Sequence, residues 1–360
     1  MNNMTVEKRL ELIKSVGEEV VTEQEMVELL DNQKTFRTYD GFEPSGRVHI
    51  AQGILRAINV NKMIEAGARF NMLVADWHGW ANNKLGGNLE NIQTTGKYLI
   101  EIWRLTGMNL KHVNFVWASD FAKNDEYWKY VMQIARNSTL KRIVRTAQIM
   151  GRAESDALQA SQILYPCMQC ADIFWQNIDV TQLGMDQRKV NMLAREVGPK
   201  VFNKKPIVVS HHMLLGLSAP QESYTDIEEK IMDLKMSKSN PEAAIFMTDT
   251  EKQIKQKIRK AFCPETADNN PILEYARYFI FEKMSTFKIE RPSKFGGDIE
   301  FPNYNDLEDA YLKKEVHPAD LKNGVARCIN ELVDPVRKEF ESNAKLRDLR
   351  DQVLSFTVTR

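Results

Sequence analysis

The sequence predicts an α/β protein: a doubly wound parallel sheet carrying a helical insertion, followed by an all-helical C-terminal region. Three observations carry this. Short β-rich runs alternate with helical segments from about residue 35 to 210, as parallel βαβ units require. The alternation is interrupted by a stretch, residues 122 to 176, that reads as helical throughout, and no convincing strand occurs beyond about residue 246. With 360 residues the chain is long enough for roughly two domains.

Two amphipathic helices are expected first, the second opened by a capping box in which Thr22 caps and Glu25 reaches back. From about Thr35 come the strand FRTYDG, a helix within VHIAQGILRAINVNKMIEAG that begins near His49, and the strand RFNMLVADW. A helix around Gln93–Leu105 and the strand VNFVWAS follow. After the helical stretch, DVTQLG resumes the sheet, a helix starts at about Asp186, and PIVVS is the last strand. Beyond it the pattern is helical, with a loop near Glu290–Gly297. The expected division is N-terminal helices over 1–33, the sheet domain over 34–245 with its insertion at about 119–160, and a helical domain over 246–360.

Composition excludes several classes. With 43% hydrophobic and 27% charged residues, and no apolar run near the ~18 residues of a membrane span, a bilayer protein is not expected. The first residues are too acidic for a secretory or transit peptide, so the expected compartment is the cytoplasm. Lys plus Arg and Asp plus Glu are each 49, so only local patches could hold a polyanion. Two exist: Arg136 to Arg152 has five basic residues and no acid, and Glu251 to Ala261 has five basic and one acidic. Each could equally be a solvated helix face. Cys167 and Cys170 form a C-x-x-C, but their flanks are apolar and no second pair accompanies them; buried thiols are expected rather than a metal or redox site.

Three constellations carry chemistry. YDGFEPSGRVHIAQG, Tyr39 to Gly53, runs from a strand through a Gly/Pro/Ser turn into a helix start, where backbone N–H groups can meet a phosphate. By itself it could be a plain tight turn. Lys235-Met236-Ser237-Lys238-Ser239 places two ammonium groups on a polar loop after the last strand, suited to closing over a triphosphate. In SQILYPCMQCADIFW, Tyr165, Gln169 and Asp172 share one face of a helix that is otherwise apolar nearly all round. A buried carboxylate there needs a donor, and a polar ligand could supply it.

The first two constellations resemble the HIGH and KMSKS signatures of class I aminoacyl-tRNA synthetases, here His49-Ile50-Ala51-Gln52, with Gln for the second His, and Lys235 to Ser239. With Tyr39, the helix-face residues and the run GMDQRK, the sequence is similar to tyrosyl-tRNA synthetases of the archaeal and eukaryotic type, and the likeness extends through NPILEYARYF, KFGGD and VHPADLKN. That resemblance implies a Rossmann-like catalytic domain and a helical anticodon-binding domain. It implies that Tyr39 and Asp172 bind the phenol of L-tyrosine, that Tyr165, Gln169 and Gln187 hold its amino and carboxyl end, and that the segment with His78 lines the pocket.

For ATP it implies Gly41, His49, Gln52, Gly53, Gly184, Asp186 at the ribose, and Lys235, Met236, Ser237, Lys238 and Ser239. His49, Gln52, Lys235 and Lys238 would be the catalytic set, acting by electrostatic stabilisation, with Mg2+ arriving with ATP and no tightly bound cofactor or protein metal site. For tRNA(Tyr), Arg145 and Lys189 match acceptor-end positions, and Phe295, His317 and Asp320 match anticodon positions. Pro318 after His317 also reads simply as a helix start. The basic helix Lys252 to Lys260 is then expected to face phosphate. The resemblance further implies a homodimer through Phe121 to Arg136, and, with the sequence ending at Arg360, no appended C-terminal module. The alternatives are a tryptophanyl-tRNA synthetase, disfavoured because an indole offers Tyr39 and Asp172 no phenol, and a synthetase-like RNA-binding protein without catalysis, disfavoured by the two intact signatures.

Overall fold

The computed structural model describes residues 4–151, 157–221, 223–224 and 227–359. Helices α1 (Val6–Val16) and α2 (Glu23–Asn32) open the chain. The capping box is present: Thr22 Oγ1 accepts from Glu25 N at 3.2 Å, and Glu25 Oε2 accepts from Thr22 N at 3.3 Å. The expectation of helices alone is corrected by β1 (Gly17–Val21), which lies between them as an antiparallel edge strand.

Strands β2 (Phe36–Phe42), β3 (Ala68–Val74), β4 (Val113–Trp117), β5 (Val180–Gly184) and β6 (Ile207–His211) fall in the five β-rich runs. Helices α3 (Arg56–Glu65), α4 (Asp76–Ala81), α5 (Leu89–Leu105), α6 (Ala118–Ala122), α7 (Asp125–Arg136), α8 (Leu140–Thr146), α9 (Ala160–Trp175) and α10 (Arg188–Val201) connect them. The stretch 122 to 176 is therefore not one helix. It breaks after Arg136 and again at Gly151, whose φ of 77° suits glycine; Arg152, the last residue of the basic run, lies outside the described residues. The helix expected near His49 starts instead as a π-helical turn over Ala51–Leu55 that leads into α3.

The sheet order is β1-β6-β5-β2-β3-β4, parallel except for β1. Chain direction across the sheet reverses between β2 and β5, the switch point at which open α/β sheets bind ligands. Those two strands pair only as Thr38 with Val180 and Tyr39 with Thr181. Beyond Tyr39 they splay, and the gap opens a crevice at their C-terminal ends.

After β6 come α11 (Ile227–Leu234), α12 (Glu251–Lys260), α13 (Pro271–Tyr275), α14 (Phe281–Lys283), α15 (Tyr304–Leu312), α16 (Pro318–Ser342) and α17 (Ala344–Ser355). One short antiparallel pair, β7 (Phe287–Ile289) with β8 (Ile299–Phe301), flanks the loop expected near Glu290–Gly297 and corrects the expectation of no strand beyond residue 246. An apolar core runs continuously from Ile13 to Val353, through α3, α5 and the C-terminal helices. A second, with Tyr127, Cys167, Ile173 and Leu193, fills the other face under α7, α9 and α10. α9 is buried as expected, Cys167 and Cys170 included, and burial pushes the Cys167 thiol up to about 11, away from the thiolate that a metal or redox site uses.

Candidate active site

A cleft of about 1060 Å³ opens over the splayed end of β2 and β5. It gathers Tyr39, Gly41, His49, Gln52, His78, Tyr165, Gln169, Asp172, Gly184, Asp186, Gln187 and Lys235 to Ser239. Gly53 stands behind its wall, where a Cβ would come within 2.6 Å of Met247 Sδ. Arg145, Lys189, Phe295, His317 and Asp320 line other surfaces.

At the deep end Tyr39 rises from β2 and Asp172 from α9, both essentially excluded from solvent. Tyr39 Oη and Asp172 Oδ2 are buried without a hydrogen-bond partner. Burial, then the carboxylate of Asp172, raises the Tyr39 phenol well above its ordinary range, so Tyr39 is a donor. The other oxygen of Asp172 accepts from Tyr127 Oη at 2.9 Å. His78 Nε2 comes within 3.0 Å of Asp172 Oδ2 but is not aligned as a hydrogen bond. Burial works to lower the His78 pKa, and Asp172 together with Glu43 and Asp76 outweighs it, leaving a net rise. The His78 ring also meets Tyr165 edge-on at 5.3 Å.

Nearer the mouth, Gln169 Nε2 donates to Gln187 Oε1 at 3.1 Å, and Gln187 Nε2 donates to Ile149 O at 3.1 Å. Both amides are thereby oriented, and Gln169 Oε1 is left facing the cavity unpaired. Glu43 and Tyr165 are close enough for burial and the Glu43 charge together to raise the Tyr165 phenol. A deep polar-lined slot thus ends in a donor and an acceptor, with amides and a carboxylate at its outer end.

Two backbone bridges join the halves of the outer cleft. His49 pairs with Phe246, Ile50 N donates to Ile245 O at 2.9 Å, and Met247 N donates to Val48 O at 2.9 Å. Lys235 pairs with Leu215, and Met236 N donates to Leu214 O at 2.7 Å. The two basic loop residues are both held. Lys235 Nζ sits 2.7 Å from Asp186 Oδ2, and Lys238 Nζ donates to Ser45 Oγ at 3.1 Å. Burial, helped by the charge of Lys84, pulls the Lys238 ammonium down to about 7. Burial, then Lys238 and Lys235, pulls His49 well below its ordinary value, so its imidazole is neutral, with Nδ1 unpartnered.

Beneath the gap lies a buried guanidinium that sequence reasoning missed. Arg56 Nη1 donates to Asp40 Oδ2 at 2.8 Å and approaches His211 Nδ1 at 3.0 Å, while Nη2 donates to Gln182 Oε1. It ties β2 to the still-paired β5 and β6 beyond the point where β2 and β5 stop pairing. Arg56 sits in the apolar run ILRAINV, and a buried arginine requires an acid, which Asp40 in YDG could have signalled. Tyr127, Glu43 and Lys84 were missed too.

Outside the cleft, Arg145 is exposed on α8, and Lys189 bonds Gln148. Phe295 is 59% exposed in a turn beneath the Lys294 ammonium. His317 caps α16 by accepting from Ala319 N at 3.1 Å, and Asp320 lies in that first turn. Arg291 holds the Phe295 loop to Glu315 O at 2.9 Å, next to His317. The expectation for α12 needs correction. Lys257 is buried, bonding Asp249 at 2.7 Å and Ala244 O at 2.8 Å, and Lys255 pairs with Glu251, so not every charge of the helix faces phosphate.

Comparison with known proteins identifies the family. A family model described as tRNA synthetases class I (W and Y) matches residues 31–334. The chain is similar to tyrosine–tRNA ligase 1, cytoplasmic, of Arabidopsis thaliana, with 47% identity over 359 residues, 99% of this chain and 90% of that one. It is similar to tyrosine–tRNA ligase of Saccharolobus islandicus, with 40% identity over 363 residues, covering 99% and 100%. Among solved structures it resembles tyrosyl-tRNA synthetase complexed with L-tyrosine from Pyrococcus horikoshii, with a TM-score of 0.89 at 36% identity, covering 97% and 100%.

Proposed function

The chain belongs to the tyrosyl enzymes of the class I tRNA synthetase family, and from that premise we infer how its cleft performs their reaction. It activates L-tyrosine with ATP and transfers the tyrosyl group to tRNA. The observation that carries the residue assignment is the pair of unpartnered buried oxygens, Tyr39 Oη and Asp172 Oδ2. A substrate phenol satisfies both: it donates to the carboxylate and accepts from Tyr39. Phenylalanine would leave both orphaned, at about 1–3 kcal/mol for each buried group, and an indole cannot play both roles.

With the phenol at the deep end, the amino and carboxyl groups reach Tyr165, Gln169 and Gln187, with Glu43 near enough to favour the ammonium. The carboxylate oxygen attacks the α-phosphorus of ATP, the bond to the β-phosphate oxygen breaks, and pyrophosphate leaves. A ribose hydroxyl of the tRNA end then attacks the adenylate carbonyl and AMP departs. No protein nucleophile is needed. Positioning and charge supply the acceleration: Lys235 and Lys238 meet the leaving pyrophosphate, while neutral His49 and Gln52 donate hydrogen bonds. Gly41 and Gly184 leave room for the nucleotide, and Asp186 serves the ribose once Lys235 turns to phosphate. Mg2+ is assigned to the MgATP substrate, because this ion binds through the substrate's phosphates.

Arg145 and Lys189 are assigned to the acceptor end of tRNA, and Phe295, His317 and Asp320 to the anticodon, on a region taken to begin near residue 246. A homodimer through the insertion is supported by Met132, 55% exposed on α7; Phe121, expected in that contact, is buried within its own chain. A cytoplasmic site is proposed by analogy with the plant relative, and no described helix is long and apolar enough to cross a membrane. Amino-acid-dependent ATP–pyrophosphate exchange across the twenty amino acids tests the assignment. Exchange with tyrosine alone is expected, and equal exchange with phenylalanine or tryptophan overturns it.

A further inference from the structure

The residues after α17 run along the mouth of the cleft, with Val358 still 53% exposed. Phe356 packs on the main core, and Val358 and Thr359 line the mouth of the cleft. Thr359 Oγ1 donates to Asn83 O at 2.6 Å and accepts from Gly86 N at 3.1 Å, clasping both ends of the loop that carries Lys84. The loop is also held by buried Leu85 and by Asn83 N, which donates to Trp80 O at 3.0 Å. Asn83, Leu85, Gly86 and Gly87 all take left-handed backbone, with φ of 58°, 51°, 68° and 72°, and for Asn and Leu such geometry persists only where surrounding contacts impose it. On the opposite lip Val358 covers Gly46, φ 120°, where a Cβ would come within 3.1 Å of Val358 Cγ2.

Lys84 is what this loop presents. Its Nζ lies 3.7 Å from Glu43 Oε2, and its charge is felt at Lys238. Three cations, Lys84, Lys235 and Lys238, therefore surround the end of the cleft where the triphosphate must lie. We propose that Thr359 is a positioning residue for ATP: the C-terminal strap fixes the Asn83–Gly87 loop so that Lys84 meets the phosphates, and it does so from α17, which packs on α5, the helix that follows the same loop. The inference rests on the ATP end of the cleft being where Lys235 and Lys238 lie.

The test uses the full chain with Thr359→Val, which keeps the shape and removes the hydroxyl, and Thr359→Ser, which keeps it. In tyrosine-dependent ATP–pyrophosphate exchange, Thr359→Val should raise KM for ATP by roughly five- to tenfold, the effect of losing one or two net hydrogen bonds. KM for tyrosine and the melting temperature should stay near those of the unmodified chain, and Thr359→Ser should restore most of the ATP affinity. An unchanged KM for ATP in Thr359→Val, an equal loss in Thr359→Ser, or a gain in kcat/KM showing that the strap obstructs the cleft would each overturn the proposal. Absence of tyrosine-dependent exchange in the unmodified chain would instead overturn the reading of the cleft on which it rests.

Discussion

Asp172 is fully buried with one oxygen satisfied by Tyr127 and the other, 3.0 Å from His78 Nε2, without a hydrogen bond. Removing the carboxylate strands Tyr39 and the substrate phenol together. Asp172→Ala should therefore cost about 2–4 kcal/mol in transition-state binding of tyrosine, read as kcat/KM in the exchange assay. Phenylalanine, which never used the carboxylate, should lose far less, and an unchanged tyrosine-to-phenylalanine ratio would show that Asp172 is not the phenol partner. Tyr127→Phe leaves the acceptor in place and should cost less than Asp172→Ala. A second prediction comes from Lys238, held down to about 7 first by burial and then by Lys84. Below that pH it carries its charge, and above it the unliganded site loses a cation before ATP arrives. The rate constant kcat/KM for ATP should fall as pH rises from 7 to 9, since that parameter reports groups of the free enzyme. Lys238→Arg, which cannot deprotonate, should flatten this limb. A wild-type profile that is already flat would refute the assignment.

The π-helical turn after His49 presses Gly53 against Met247, the strand-like partner of Val48. A methyl group at Gly53 would sit 2.6 Å from Met247 Sδ and 2.8 Å from its Cγ. Met is flexible, so Gly53→Ala should destabilise by an overpacking cost of about 1–3 kcal/mol rather than prevent folding. Its melting temperature should drop by several degrees, and Met247→Ala should recover part of the loss in a double-mutant cycle; purely additive losses would separate the two side chains. The elements legible in the sequence were those with strong local patterns. β2, β3 and β5 are short β-rich runs bounded by turns, α9 is apolar apart from its one polar face, and the α2 cap is written in Thr22 and Glu25. Strand β1 was not legible because GEEVV continues a helical pattern, and it becomes a strand only by pairing with β6, far along the chain. β7 and β8 are three residues each, too short for a period. The site shows the same division. Tyr39, Asp172 and the two signature segments stand out as polar groups in apolar or glycine-rich surroundings. Tyr127, on the strongly amphipathic α7, and Lys84, in an ordinary-looking loop, acquire meaning only when folding brings them to the cleft.

The cleft and the C-terminal helices are not joined loosely. Asp249, wholly buried, accepts from Arg47 at 2.6 Å and from Lys257 at 2.7 Å, while its carbonyl oxygen accepts from Arg337 Nη1 at 2.9 Å. Arg47 belongs to the turn before His49, Lys257 to α12 and Arg337 to α16. One carboxylate thus holds the first signature to the region proposed to read the anticodon. Asp320 begins the same α16 whose later turns reach Asp249, yet it lies outside the cleft and contributes nothing to its lining. Asp320→Ala should consequently leave tyrosine-dependent exchange unchanged while weakening transfer to tRNA by about 1–3 kcal/mol, the usual worth of one base-specific contact. Arg145→Ala should act differently, lowering tRNA affinity and its salt dependence together, because an exposed arginine near a phosphate backbone works through charge. The measurement is charging of tRNA with the tyrosine anticodon against tRNA with its first anticodon base changed. If the Asp320 variant discriminates between them as well as the unmodified chain does, the aspartate serves only the first turn of α16, where a negative charge favours the helix N-terminus in any case.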